Sequence, residues 1–245
     1  MLKFEKPEYK VKEYIENDSY GKFEIEPLER GFGTTLGNAL RRTMLSSLPG
    51  DAICSVKIDG VIEDVTAIVL NLKSVVIKNH SDDYSAILRI HREGPGEVLA
   101  DDIETDADIE ILNPEQLICT LAEGGSINME MTISNGRGYA RAEENKVLYG
   151  DEVKQNTIFI DSLYSPIERI NYEVETARVG QDSNYDKLIL EVWTNGSITP
   201  EESVALASRI LIEHFTILTD LNEIADETGL MSSKTEDPNQ KILEI

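Results

Sequence analysis

YDKLILEVWTNGSITPEESVALASRILIEHFTIL, residues 185–218, places a strand and a helix almost back to back. Leu188, Leu190 and Val192 recur at the two-residue period of a pleated strand, and Thr194-Asn195-Gly196 ends it with a turn. Thr199 then stands as N-cap, Pro200 at the first helical position and Glu202 at the third, a capping box that satisfies otherwise orphan backbone donors. The helix is predicted to run to about Leu218. Its apolar residues form two stripes: Val204, Ala207, Leu211, Phe215 and Leu218 on one side, and Leu206, Ile210 and Ile217 on another. Only a narrow polar strip around Arg209 and Glu213 separates them, and a helix that is apolar nearly all round needs cover on two sides. One side packs on its own sheet. The other lies either deep in a large monomeric core or against a second copy, twofold pairing being the commonest solution for a self-complementary patch.

The start of the chain has the same need. Lys22 to Ile25, with Phe23 and Ile25 on one side, reads as a strand ended by Pro27. A glycine-rich turn, Glu29 to Gly37, opens a helix that stops near Leu48, because Pro49 restricts the residue before it and Gly50 favours a turn. Leu36, Ala39, Leu40, Thr43 and Met44 share one broad face, Asn38 and Arg42 the opposite one, and Arg41 the border. Arg42 therefore projects with Asn38 toward a partner, where a guanidinium offers bidentate contact, or else the arginines are ordinary solvated side chains. The run Gly31-Phe32-Gly33-Thr34-Thr35-Leu36-Gly37 lacks the Lys-Ser/Thr pair of a phosphate loop and the spacing of a dinucleotide fingerprint. It reads as a tight turn with close helix packing near Gly37.

Between these ends the pattern is strand-rich. Cys54, Val56 and Ile58 alternate, as do Ala86, Leu88 and Ile90, then Ile127, Met129, Met131 and Ile133, then Ile170, Tyr172 and Val174. One helix interrupts them, marked by Val65, Ile68, Val69 and Leu72, and turns such as Gly94-Pro95-Gly96 and Asn135-Gly136 punctuate the rest. The simplest topology is an α+β protein of discontinuous two-domain architecture. Residues 1–50 and 175–231 form a dimerisation domain, residues 51–174 an inserted mixed, strand-rich domain, and residues 232–245 an acidic tail or the start of a linker.

Charge narrows the function. The formal net charge of -23 opposes nonspecific duplex binding, since phosphate contacts need local positive charge. Residues 1–50 carry eight acidic and eight basic side chains, so the opening segment is the part best able to meet an acidic protein partner. A polar stretch from Glu175 to Leu188, containing Arg178, Asp182 and Lys187, has the composition of an interface rim or of an ordinary loop. The acidic run Asp101 to Glu110 alternates with Ile103, Ala107 and Ile109 and reads as a charged strand face, without the glycine-centred loop that calcium requires. His80, His91 and His214 are isolated, Cys54 and Cys119 read as buried thiols, and no Ser-His or Cys-His grouping nominates a nucleophile. Charges interrupt the apolar runs before membrane-spanning length, and Met1 to Lys6 contain no apolar leader core, so a cytoplasmic protein without a membrane segment is expected. An enzyme in its own right and a standalone acidic binding domain are the rival classes.

Long collinear stretches resemble the amino-terminal region of the alpha subunit of bacterial DNA-directed RNA polymerase. They are LERGFGTTLGNALRRTMLSSLPG (Leu28 to Gly50), VKIDG (Val56 to Gly60), IEDVTAIVLNLK (Ile62 to Lys73), NGRGY (Asn135 to Tyr139) and YEVETARVGQDSNYDKLILEVWTNGSITPEE (Tyr172 to Glu202). The resemblance implies a noncatalytic, homodimeric scaffold on which the beta and beta-prime subunits assemble, with no cofactor in this chain and magnesium in the beta-prime subunit. It implies a beta contact through Arg42, with the first helix and the inserted domain's edge near Gly60 to Lys73 as the beta-facing surface, a beta-prime contact within Arg178 to Lys187, and a dimer element in the helix beginning at Pro200. The expected contact residues are Asn38, Arg42, Arg178, Asp182 and Lys187 for the large subunits and Leu36, Leu40, Val204, Leu211 and Phe215 for the dimer. Family members carry a longer connection, with a His-Glu-Phe segment, between Asp59-Gly60 and Ile62. They also carry a separate carboxy-terminal DNA-binding domain beyond the end of this sequence, so direct DNA contact is not expected from this region.

Overall fold

The computed structural model describes residues 6–14, 19–60, 65–81, 85–150, 156–180 and 182–219. In chain order the elements begin with β1 (Glu8–Tyr14), β2 (Tyr20–Glu29), α1 (Phe32–Ser47), β3 (Pro49–Gly60), α2 (Val65–Leu72), β4 (Ile77–Asn79) and β5 (Ser85–Glu93). They continue with β6 (Gly96–Leu99), β7 (Ile109–Ile111), β8 (Leu117–Leu121), β9 (Ser126–Arg137), β10 (Tyr139–Ala140), α3 (Ala142–Tyr149) and β11 (Ile158–Phe159). The last are β12 (Ser162–Leu163), β13 (Ile167–Val179), β14 (Asp182–Thr194) and α4 (Pro200–Thr219). Among the described residues, one compact unit joins the early chain up to Met44 with Ile167–Thr194 and the residues from Thr199 on. The other holds Leu45–Pro166 with Asn195–Ile198.

The first unit is a four-stranded antiparallel sheet, ordered β1-β2-β14-β13, with α1 and α4 against it. Leu188, Leu190 and Val192 are fully buried, as their alternation requires. β2 does not end at Pro27. It runs on to Glu29, with Pro27 lying where the β14 ladder shifts register between the pairs Ile25–Leu188 and Leu28–Asp186. A missing N–H is tolerated at such an irregularity. The unit boundaries also differ from the cuts drawn at 50/51 and 174/175. β13 is one continuous strand laddered to β14 over nearly its whole length, so Ile170, Tyr172 and Val174 belong with the chain's ends.

α1 starts at Phe32, so Gly33 and Gly37 lie inside the helix and not in a turn before it. A Cβ on Gly33 would stand 2.7 Å from Val174 Cγ1, and one on Gly37 would stand 2.5 Å from the Tyr172 ring. The glycines let the helix backbone rest directly on β13, a close approach that outweighs their poor helix propensity. In α4 the capping box forms as the sequence requires. Glu202 N–H donates to Thr199 Oγ1 and Thr199 N–H donates to the Glu202 carboxylate, both at 3.2 Å.

The second unit is built on β3 and β9, in a sheet ordered β5-β9-β3-β4-β7 with β11 also on β3; β6–β8 and β10–β12 are separate pairs. Ile127, Met129, Met131 and Ile133 are all buried, as are Leu88 and Ile90 opposite them, and α2 adds Ile68 and Leu72 to the same core. The acidic run is not a strand face. Ala100–Asp102 is a 3-10 turn, and β7 starts only at Ile109. Asp102 bonds Arg92 Nη1 at 2.6 Å and Leu99 N–H at 2.9 Å, so part of the run serves the fold. Cys54 is buried, Cys119 half-buried, and both are free thiols.

Candidate docking surfaces

α1 divides as its pattern predicts. Gly33, Gly37, Leu40 and Met44 are buried, Leu36 is half-buried, and Asn38, Arg41 and Arg42 are exposed. Leu40 is thus already covered within a single copy, whereas Leu36 retains surface to give. The helix is aimed by a residue that local sequence reasoning missed. Gly31 N–H and Gly33 N–H donate to Asp186 Oδ2 at 2.7 and 3.2 Å, so a β14 carboxylate occupies the amino end of the helix. This is a through-space cap, favoured by the orphan donors and the positive end of the helix dipole. It also fills the one place where a phosphate would bind at this turn.

Of the 175–188 stretch, the residues up to Val179 end β13 and those from Asp182 begin β14. Arg178 is exposed near the end of β13, and Asp182 begins β14 opposite Val179. Lys187 does not reach outward alone: its ammonium lies 3.3 Å from Glu24 and 3.4 Å from Glu175. Burial works to lower its pKa, but the two carboxylates outweigh that and hold it above the usual lysine range. Residues 62–64, Gln181 and residues 220–245, which fall in stretches the sequence singles out, lie outside the described residues.

α4 changes character along its length. Pro200, Ser203 and Ala207 are buried, and Val204, Leu206, Ile210 and Leu211 are half-buried. Beyond them Ile212, Phe215, Ile217 and Leu218 are 63, 58, 69 and 58% exposed. Beside the helix's first half opens an apolar groove of about 590 Å³ lined by Tyr9, Val11, Phe23, Ile25 and Val204. One unit thus carries both an uncovered apolar knob and an apolar recess.

In the second unit, Asp161 accepts from Lys73 Nζ at 2.8 Å and from the first N–H of α3, on Ala142, at 2.9 Å. Lys73 above all, then the Ala142 N–H and the Tyr139 hydroxyl, hold its carboxyl down to about 2. α3 itself was not foreseen, because its one buried residue is Asn145, which donates to Ile160 O at 2.7 Å and Ser162 Oγ at 2.9 Å. Among the described residues no three His, Cys, Asp or Glu side chains gather as a metal site, and no helix is long and apolar enough to cross a membrane. His80 and His91 each face one carboxylate, Glu110 at 3.1 Å and Glu93 at 3.7 Å.

The family model described as the RNA polymerase Rpb3/RpoA insert domain matches residues 56–165, which fall within the second unit. Over its whole length the chain is 50% identical to the DNA-directed RNA polymerase subunit alpha of Symbiobacterium thermophilum, covering 80% of that protein. It is 49% identical to the subunits of the same name from Desulforamulus reducens and Clostridium kluyveri, again covering 80% of each. Identity at this level along the entire chain, with the insert placed inside an end-built unit, leaves one reading: the chain belongs to the family of bacterial DNA-directed RNA polymerase alpha subunits, noncatalytic members of that enzyme.

Proposed function

We propose that this chain pairs with a second copy of itself and that the pair is the platform on which the beta and beta-prime subunits assemble in the cytoplasm. The observation that carries the dimer is the outer half of α4, with Ile212, Phe215, Ile217 and Leu218 left in water beside an apolar groove on the same unit. Burying several such side chains stabilises an interface by roughly 25 cal/mol per Å² of apolar surface, and a twofold axis lets each copy supply both knob and recess. In this reading Leu36, Val204, Leu211 and Phe215 meet the partner copy, and Leu40 supports them from beneath. The end-built unit is the dimerisation domain, the inserted unit a subunit-contact domain, and residues 232–245 a tail or linker.

Arg42 and Asn38, exposed together on α1, present the beta contact. Arg178 and Asp182, where β13 meets β14, present the beta-prime contact; Lys187, held by Glu24 and Glu175, shapes that surface from within. Magnesium and nucleotide chemistry belong to beta-prime, and the net charge of -23 favours protein partners over DNA for this region. Replacing Arg42 with Ala is expected to leave a folded dimer and to weaken capture of purified beta subunit by about 2 kcal/mol, the cost of truncating an anchoring interface arginine. A quantitative pull-down that finds the beta affinity unchanged removes Arg42 from the interface.

A further inference from the structure

α4 carries one titratable residue in the middle of its apolar arc. At about 100° per residue, His214 falls between Ala207, Leu211 and Leu218 on one flank and Ile210 and Ile217 on the other. The line it continues starts with Pro200, Ser203 and Ala207, which are buried where α4 packs on β2 and β14. Past the half-buried Ile210 and Leu211 the same line runs into water, and His214 is exposed together with Phe215, Ile217 and Leu218. Its ring is already oriented. Nδ1 lies 2.8 Å from the Ile210 carbonyl, and since a carbonyl oxygen only accepts, Nδ1 carries the hydrogen. In the neutral ring Nε2 then holds a lone pair, and it is the atom that takes the next proton.

We propose that His214 makes the pairing of two copies sensitive to pH, tight while its imidazole is neutral and loose once Nε2 is protonated. The inference rests on the pairing read above for the outer half of α4. A neutral imidazole with one nitrogen already bonded enters an apolar seam at small cost, whereas an imidazolium must give up its water to do so. A twofold axis doubles the effect, because each copy brings one His214. Among the described residues, the charged groups around it offer no buried counter-ion. Glu213 stands about 100° away on the polar strip of the same helix and pairs with Arg209 at 3.3 Å. β2 presents Phe23 and Ile25 beside Val204 of α4, and β14 fills the same face with Leu188, Leu190 and Val192. β1 and the first turn of α4 bring Glu8 and Glu201 to the groove, but both are exposed, and carboxylates in water hold a cation weakly.

The test is the dimer dissociation constant of the full chain, measured by sedimentation at about pH 7.5 and about pH 5.5, the span in which histidine takes up its proton. His214→Gln is measured beside it, since glutamine keeps a neutral polar group at the seam at both values. The ratio of the parent's constant to the variant's is expected to rise at least about tenfold on going to the lower value. Taking the ratio removes what acidification does to the rest of the chain, whose charge of -23 is partly neutralised at the same time. A ratio that stays constant, or that falls, overturns the proposal and leaves the pairing standing. A parent that is monomeric already at about pH 7.5 overturns the pairing as well, so the two failures are told apart.

Discussion

The two units close their cores differently. In the inserted unit the side chains that alternate inward, from Leu88 and Ile90 to Met129 and Met131, are fully buried by the same unit. In the end-built unit the sheet is finished just as well, with Leu188, Leu190 and Val192 at no exposure, yet α4 ends on four large apolar residues in water. The inserted unit has a strand core closed from within, though Val147, Leu148 and Leu163 stay exposed at its surface; in the end-built unit the uncovered residues instead continue along one helix, which is the pattern that supports the proposed pairing.

The sharpest way to break this contrast is Phe215→Glu. A buried charge in place of a central aromatic anchor is expected to raise the dimer dissociation constant about a hundredfold or more. Sedimentation at micromolar concentration then reports a folded monomer; an unchanged dimer means the outer stripe of α4 is not its seam. Leu88→Ala tests the other side, removing a fully buried side chain from the inserted core. It is expected to cost about 3 kcal/mol in denaturant unfolding while leaving the dimer constant alone. Coupled loss of both properties would mean that the two cores are not independent.

The smallest expected effect is at Asp161. Its folded pKa, near 2, lies below the ordinary carboxylate value of about 3.9, so the ionised form is favoured by folding. That contribution is complete above the unfolded value and is lost as pH falls through the folded one. The gap in thermal midpoint between parent and Asp161→Asn is therefore expected to be constant near neutrality and to shrink as the solution is acidified from about pH 5 toward pH 2. A gap independent of pH dissociates Asp161 from the clasp on α3.

Local chemistry made part of this legible without coordinates. The α4 cap spans only Thr199 to Glu202, so its hydrogen bonds are written within one turn of sequence. The alternating runs of β5 and β9 carried the inserted core for the same reason. What stayed hidden depended on distance along the chain or on polar anchoring. Nothing near Gly31 announces that Asp186 will cap it, and α3 buries an asparagine where a helix ordinarily buries an apolar residue. The extent of β13 is not legible locally, because alternation identifies a strand without naming its neighbour, and the β14 ladder decides where Ile170 to Val174 belong. Among the proposed contact residues, the exposure of Asn38 and Arg42 follows from helical angle alone, whereas the binding of Lys187 between two glutamates requires the sheet.

The carboxylate of Asp186 at the start of α1 has a consequence for how the chain comes off the ribosome. Helix and cap lie 155 residues apart, and β14, which lies between β2 and β13, is made well after α1. A nascent chain that has emerged as far as Pro166 already contains nearly all of the inserted unit but lacks the strands that seat α1. Translation order thus imposes a maturation order: the insert can settle first, and the end-built unit, with the surface proposed to recruit a twin, is completed only after β13 and β14 have followed.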